Sequence, residues 1–367
     1  MQTKRVFILG AGFSKQAGMP LATELTDLIL EKFKEYGQTE MLAWFDDLKR
    51  RIDWLEKASG KKSGGVNIEQ VFDLAWFDAE LWKMEQHLCA LGRTCGDTPW
   101  QASEDIEAWL SHMENDLIDA IWDSQKQAQQ NLDSISTFSK NLQAEDAVLT
   151  FNYDTLLENS LSHRSKAWWY GFAREGGPGT KILKMHGSIN WKMAPRDTSE
   201  KDDLLFRKQD INVTKHNAPP PDEVEYKYDL ACVTDDKVDR FIGNRDLQWA
   251  ERYSYVGIAG LGTYKRLHLL PGSGEVWFNA IRALREAQEI YIIGFSLSPF
   301  DKMARLHFGG VMCGRAEKNN FPQKVVLIDP KACDLKANFA PIFGPHVPMI
   351  VRHQKAEEVQ WPELLGG

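Results

Sequence analysis

Val6-Phe7-Ile8-Leu9-Gly10-Ala11-Gly12-Phe13-Ser14-Lys15-Gln16-Ala17-Gly18-Met19-Pro20 is the stretch from which the fold is read. Val6–Leu9 is an unbroken apolar run, the pattern of a strand buried on both faces. It stops at Gly10. Leu21, Leu25, Leu28, Ile29 and Phe33 then recur at helical spacing, with Pro20 just ahead as a first-turn residue. The first 34 residues therefore read strand, tight turn, helix. Glycines in such a turn let the backbone bend sharply and let a pyrophosphate approach the main chain. The helix that follows offers unpaired N–H groups and the positive end of its dipole. Gly10, Ala11, Gly12, Phe13 and Ser14 form the candidate phosphate loop. Lys15 stands where the ordinary dinucleotide fingerprint has its third glycine, so the dehydrogenase pattern is incomplete and a plain glycine turn is the alternative.

Four more short apolar runs read as strands: Ala147–Phe151, Ile182–Met185, Ile290–Ile293 and Val325–Ile328. A helix over Glu275–Ala287 precedes the third. Strand–helix alternation of this kind predicts an α/β fold, a Rossmann-like, open, mostly parallel sheet flanked by helices. Residues 36–145 interrupt it with a mainly helical insertion. One apolar face there runs through Ile68, Val71, Phe72, Ala75, Trp76 and Ala79. Another runs through Ile106, Trp109, Leu110, Met113, Leu117 and Ile121. Residues 194–262, polar and carrying Pro219-Pro220-Pro221, read as a loop-rich insertion. The whole of 1–367 is thus one nucleotide-binding domain with two insertions.

Polar residues collect where these strands end, which is where open α/β sheets bind ligands. Asn152 and Asp154 close the second strand; a helix cap is the other reading of Asp154. His186, followed by Gly187 and Ser188, closes the third and is a candidate base. Gly294 and Ser296 close the fourth and are placed to meet ribose or phosphate oxygens. Asp301 is a candidate ligand contact or the cap of the next helix. Asp329 closes the fifth and is either a ribose contact or a turn aspartate before Pro330. Together these strand ends describe a nucleotide cleft with a base beside it.

Bulk composition narrows the classes. The chain has 367 residues, 43% hydrophobic and 26% charged, so it can bury a sizeable core. A net charge of −8 makes direct nucleic-acid binding unlikely to be its role. No apolar run approaches the roughly 20 residues that span a bilayer. Lys4 and Arg5 lead directly into a strand rather than a signal peptide. The five cysteines (Cys89, Cys95, Cys232, Cys313, Cys333) form no C-x-x-C pair, so no zinc ribbon or other metal site is expected and reduced thiols in a cytoplasmic protein are.

Gly10–Pro20, Phe151-Asn152-Tyr153-Asp154, Lys184–Trp191 (K-M-H-G-S-I-N-W) and Ile293–Leu297 (I-G-F-S-L), in this order, resemble the sirtuin-like family. The resemblance is nearest to the bacterial antiphage-defence members of the HerA-associated type, which hydrolyse NAD. It implies that Gly10, Ala11, Gly12 and Ser14 hold the NAD phosphates. Asn152 and Asp154 then lie beside the nicotinamide ribose, His186 is the catalytic histidine, and Gly294 and Ser296 flank adenosine. NAD is implied as substrate, with N-glycosidic cleavage to nicotinamide and ADP-ribose. A homo-oligomer and a HerA-type ring ATPase are the implied partners. Trp44, Trp54, Trp82 and Trp100 would supply an outward-facing partner surface, with core packing as the alternative. The pattern departs from protein-deacylating sirtuins in three ways. Only Cys232 lies where those carry a four-cysteine zinc module, Phe151 replaces a glutamine, and Leu21-Ala22-Thr23 replaces the Phe-Arg after Pro20. An NAD-dependent deacylase and a non-catalytic NAD or ADP-ribose sensor are the two rival expectations.

Overall fold

The computed structural model describes residues 5–60, 65–90, 105–171, 177–195, 204–212, 227–233, 256–258, 261–263 and 273–365. They fall into two compact units. The first draws on Met1–Met19, Ile121–Ala259 and Arg266–Gly367, the second on Pro20–Ala120 and Gly260–Lys265.

The first unit contains a seven-stranded sheet. Its strands are β1 (Arg5–Leu9), β2 (Ala147–Thr150), β3 (Trp168–Tyr170), β4 (Thr180–Lys184), β9 (Glu289–Ile293), β10 (Lys324–Ile328) and β11 (Met349–Arg352). Their order is β11-β10-β9-β1-β2-β4-β3, and every pairing is parallel. The expected open parallel sheet is therefore present. β1 is its centre: Val6, Phe7 and Ile8 have no exposed surface, and β2 and β9 pair on either side of them. The chain leaves β1 toward β2 and later returns to β1's other flank, so the sheet reverses direction at β1. Crevices for ligands open at such a point, at the strands' carboxyl ends. Helices α7 (Leu156–His163), α8 (Ser273–Glu286) and α10 (Ala332–Phe343) pack on β3, β4 and β10 respectively.

The sequence reading misses β3 and β11. The first is three residues long, and the second is an edge strand with alternating half-exposed positions, so neither shows a buried apolar run. Strands also occur among the described residues in and beside 194–262. β5 (Gly187–Pro195), β6 (Leu204–Asn212), β7 (Lys227–Val233) and β8 (Val256–Ile258) form a second, antiparallel sheet in the order β6-β7-β5-β8. Charged and amide residues interleave the apolar ones in β6 and β7, which masks them in a search for apolar runs.

The second unit is helical: α2 (Ala22–Glu35), α3 (Thr39–Ala58), α4 (Ile68–Ala90) and the first part of α5 (Asp105–Ala128). Of the expected face, Ile68, Val71, Phe72, Ala75 and Ala79 are fully buried and Trp76 is half-buried at its margin. Phe33 and Phe45 meet edge to face at 5.4 Å. Asp73 on α4 accepts from the Thr263 hydroxyl at 2.7 Å, which ties residues 261–263 to that helix. Trp44 packs at 5.2 Å from Trp109 and is buried, so it belongs to the core rather than to an outward face. Trp54 is exposed; the side chains of Trp82 and Trp100 lie outside the described residues. No helix among the described residues is long and apolar enough to cross a membrane.

At the amino edge of the large sheet, Arg5 binds Asp146 in bidentate fashion, Nε to Oδ1 at 2.9 Å and Nη2 to Oδ2 at 2.7 Å. The backbone N–H of Gln143 adds a third donor to that carboxylate. Burial pushes the Asp146 carboxyl up from the ordinary carboxylate range, and Arg5 opposes that push. The pair anchors β1 beside the start of β2. Arg5→Met should cost about 3–5 kcal/mol, because it strands a buried carboxylate, whereas Arg5→Met with Asp146→Leu should restore most of that loss. Urea unfolding of the two variants measures the difference.

Candidate functional site

The loops that leave β1, β2, β4 and β9 at their carboxyl ends are stitched together by main-chain bonds that prolong the sheet ladder. Gly10 N–H donates to Ile293 C=O at 3.1 Å and Gly12 N–H to Gly294 C=O at 2.9 Å. Phe151 N–H donates to Leu9 C=O at 2.9 Å and Met185 N–H to Thr150 C=O at 2.8 Å. Ala11–Lys15 then forms the short helix α1, with Gly10 extended before it. Gly12 and Gly294 approach so closely that a Cβ on Gly12 would lie 2.8 Å from the Gly294 Cα. Gly294 also has φ +56°, a conformation that costs an L side chain roughly 1–2 kcal/mol.

Asn152 crosses this junction. Its Nδ2 donates to Gly10 C=O at 3.0 Å and to Ser14 Oγ at 2.9 Å, over 142 and 138 residues of sequence. Both amide hydrogens are thereby used, and what remains to the side chain is acceptor capacity at Oδ1. Ser14 is buried by the same contact. Ala11 is exposed at the start of α1, while Phe13 points inward and packs on Phe138 at 5.0 Å.

The segment carrying Asn152 is also gripped from the other side. Ser188 Oγ and Ile189 N–H both donate to Tyr153 C=O, at 3.2 and 3.1 Å. Lys184 Nζ donates to Asp154 C=O and lies 3.2 Å from the Glu158 carboxylate, both side chains being almost wholly buried. Burial pushes the Glu158 carboxyl up, and the Lys184 charge opposes it. Tyr170 OH completes the cluster with a 3.0 Å bond to Glu158. Lys184 and Ser188 thus bracket His186 along the chain and hold the neighbouring strand end.

His186 sits at the corner between β4 of the large sheet and β5 of the small one, where Gly187 turns the backbone at φ +83°. Phe151 meets the imidazole edge-on at 5.0 Å and stacks on Phe295 at 4.2 Å and 11°. Tyr153 lies 6.1 Å from the imidazole. His186 Nε2 is 3.4 Å from Asp301 Oδ1, with both side chains buried. The motifs read separately in the sequence therefore meet: the glycine loop through Asn152, and His186 with Phe295 and Asp301 through Phe151.

Other candidates take different places. Asp154 Oδ1 accepts the Leu156 N–H at 3.2 Å and so starts α7. Ser188 is fully buried with its hydroxyl turned to Tyr153. Ser296 is exposed, and its carbonyl accepts from Asn338 at 2.9 Å. Asp329 accepts the Lys331 N–H at 2.7 Å, a turn geometry. Lys184, Glu158 and Phe295 escape a sequence search for chemistry. Lys184 stands in a strand between apolar neighbours, and a charged residue in a buried run is the one signal that marks it. No group of three or more His, Cys, Asp or Glu side chains fit to hold a metal occurs among the described residues.

No family model matches the chain. A comparison with curated proteins finds no match. Among solved structures, the chain is similar to one described as "Structure of Sir2Tm bound to a propionylated peptide". The TM-score is 0.39 and the identity 12%, over 100% of this chain and 94% of that one.

Gly294→Ala should open the β1–β9 junction, because its Cβ would run into the Gly12–Phe13 backbone and its φ is left-handed. A loss of about 2 kcal/mol or more is expected in thermal unfolding.

Proposed function

We propose that the chain is an NAD-using enzyme that cleaves the nicotinamide–ribose bond by water, releasing nicotinamide and ADP-ribose. The observation that carries the reading is the Asn152 side chain, tied through Nδ2 to both Gly10 and Ser14. It joins the candidate ribose-orienting group to the candidate phosphate loop, as a substrate with pyrophosphate and ribose in one molecule requires.

Nicotinamide is cationic at its ring nitrogen, so its departure needs no general acid. The transition state has oxocarbenium character at the ribose. Holding the ribose, stabilising that charge and placing a water are what remain for the protein. Asn152 Oδ1 accepts from a ribose hydroxyl or from the water. His186 takes the proton, in surroundings dried by Phe151, Tyr153 and Phe295. Base catalysis of this kind contributes about 10²–10⁴-fold. Gly10–Ser14 seats the phosphates, and Gly294 and Ser296 lie on the adenosine side. Asp154 supports the site from the start of α7.

The sequence resemblance supports water rather than acyl-lysine as acceptor, since the interval between His186 and Gly294 carries only Cys232. In this reading the protein is a regulated antiphage effector in the cytoplasm. It stays idle until an assembly, as a homo-oligomer or with a HerA-type ring ATPase, triggers it.

Nicotinamide release from NAD by purified protein tests the assignment. Asn152→Ala and His186→Ala should each lower the rate by on the order of 10²-fold or more. Equal, measurable rates in wild type and both variants would remove these roles, and release that depends on an acylated peptide would move the chain to the deacylases.

A further inference from the structure

Asp301 occupies the N-cap position of helix α9 (Lys302–Glu317), and its side chain makes no capping hydrogen bond. N-cap aspartates ordinarily accept an N–H of the first turn, and that bond stabilises the helix. Here the carboxylate turns instead to His186 Nε2 at 3.4 Å, and both partners are buried. A carboxylate out of water needs a cation or donor beside it.

The turn that delivers Asp301 is fixed at several points. Its N–H donates to Ser298 C=O at 2.9 Å, and the Phe300 N–H to Ser298 Oγ at 3.3 Å. Arg305, one turn into α9, reaches back with Nη2 to Leu297 C=O at 2.6 Å. Leu297 is fully buried and holds φ +52°, a left-handed conformation that persists only where surrounding contacts impose it. The β9 exit therefore sets the carboxylate, and the β4 exit sets the imidazole. Two independently anchored loops bring them together.

We infer that Asp301 is the positioning residue of His186. Its carboxylate accepts the Nε2–H, which fixes the tautomer in which Nδ1 carries the lone pair. It then steadies the imidazolium once the ring has taken a proton. The logic is that of any base oriented by a third group. Asp301 acts on the ring and makes no contact with nucleotide. The catalytic consequence rests on the proposed NAD cleavage; the tautomer does not.

Two readouts separate these. Protein labelled with ¹⁵N-histidine gives ring tautomers in long-range ¹H–¹⁵N spectra, with His186 assigned among the nine histidines by its loss in His186→Gln. The wild-type ring should carry its proton on Nε2, and Asp301→Ala should shift it toward a mixture of tautomers. In NAD turnover, Asp301→Ala should lower kcat by on the order of 10²-fold with KM changed by less than about threefold. A wild-type proton on Nδ1, a spectrum unchanged in Asp301→Ala, or a raised KM at unchanged kcat would each overturn the inference. Asp301→Leu, which fills the volume, keeps both readouts open where the alanine variant does not fold. Absence of NAD turnover in the wild type would count against the proposed function alone, because the spectra still decide the tautomer.

Discussion

The close approach of two backbones, Gly10–Gly12 and Gly294, is the constraint on which the site depends. Gly10, Gly12 and Gly294 lack side chains, and each donates or accepts a main-chain bond that carries the β1–β9 ladder past the end of the sheet. Because the two loops are in contact, neither drifts relative to the other. Asn152 then has a fixed target, and its two amide hydrogens lock a third strand end onto the first. Phe295, immediately after Gly294, is carried into position to stack on Phe151, and Phe151 meets His186. One steric requirement thus propagates through a hydrogen bond and a ring stack to the candidate base.

Buried charge reinforces the same geometry at both edges of the sheet. Arg5 and Asp146 hold β1 to the start of β2 at the amino edge. Lys184, paired with Glu158, holds the Asp154 carbonyl near the carboxyl edge, next to the candidate chemistry. Such pairs stabilise little by themselves, since desolvation offsets attraction. What they supply is register: a strand end displaced by one residue would leave a buried ion alone.

The central strands were legible because burial on both faces writes an apolar run into the sequence, as at Val6–Leu9, Ile290–Ile293 and Val325–Ile328. β11, four residues at the sheet edge, was not, and β6 and β7 were not because charged residues interrupt their apolar ones. At the site, the positions of Gly12, Asn152 and His186 were readable as strand endings. The partners that fix them were not, because they come from elsewhere in the chain. Nothing local to Asp301 distinguishes a helix cap from a carboxylate aimed at His186, and nothing local to Ser188 says that its hydroxyl turns to Tyr153. Trp44 misled for the same reason: an aromatic on an amphipathic helix looks alike whether it meets solvent or Trp109.

The Asn152 bridge spans 142 residues to Gly10, and the imidazole meets its carboxylate only at Asp301 of a 367-residue chain. No single contiguous stretch contains the centre. In synthesis order the glycine loop precedes Asn152, and Asn152 precedes Asp301. The arrangement around His186 is therefore complete only once β9, which leads to Asp301, is paired with β1.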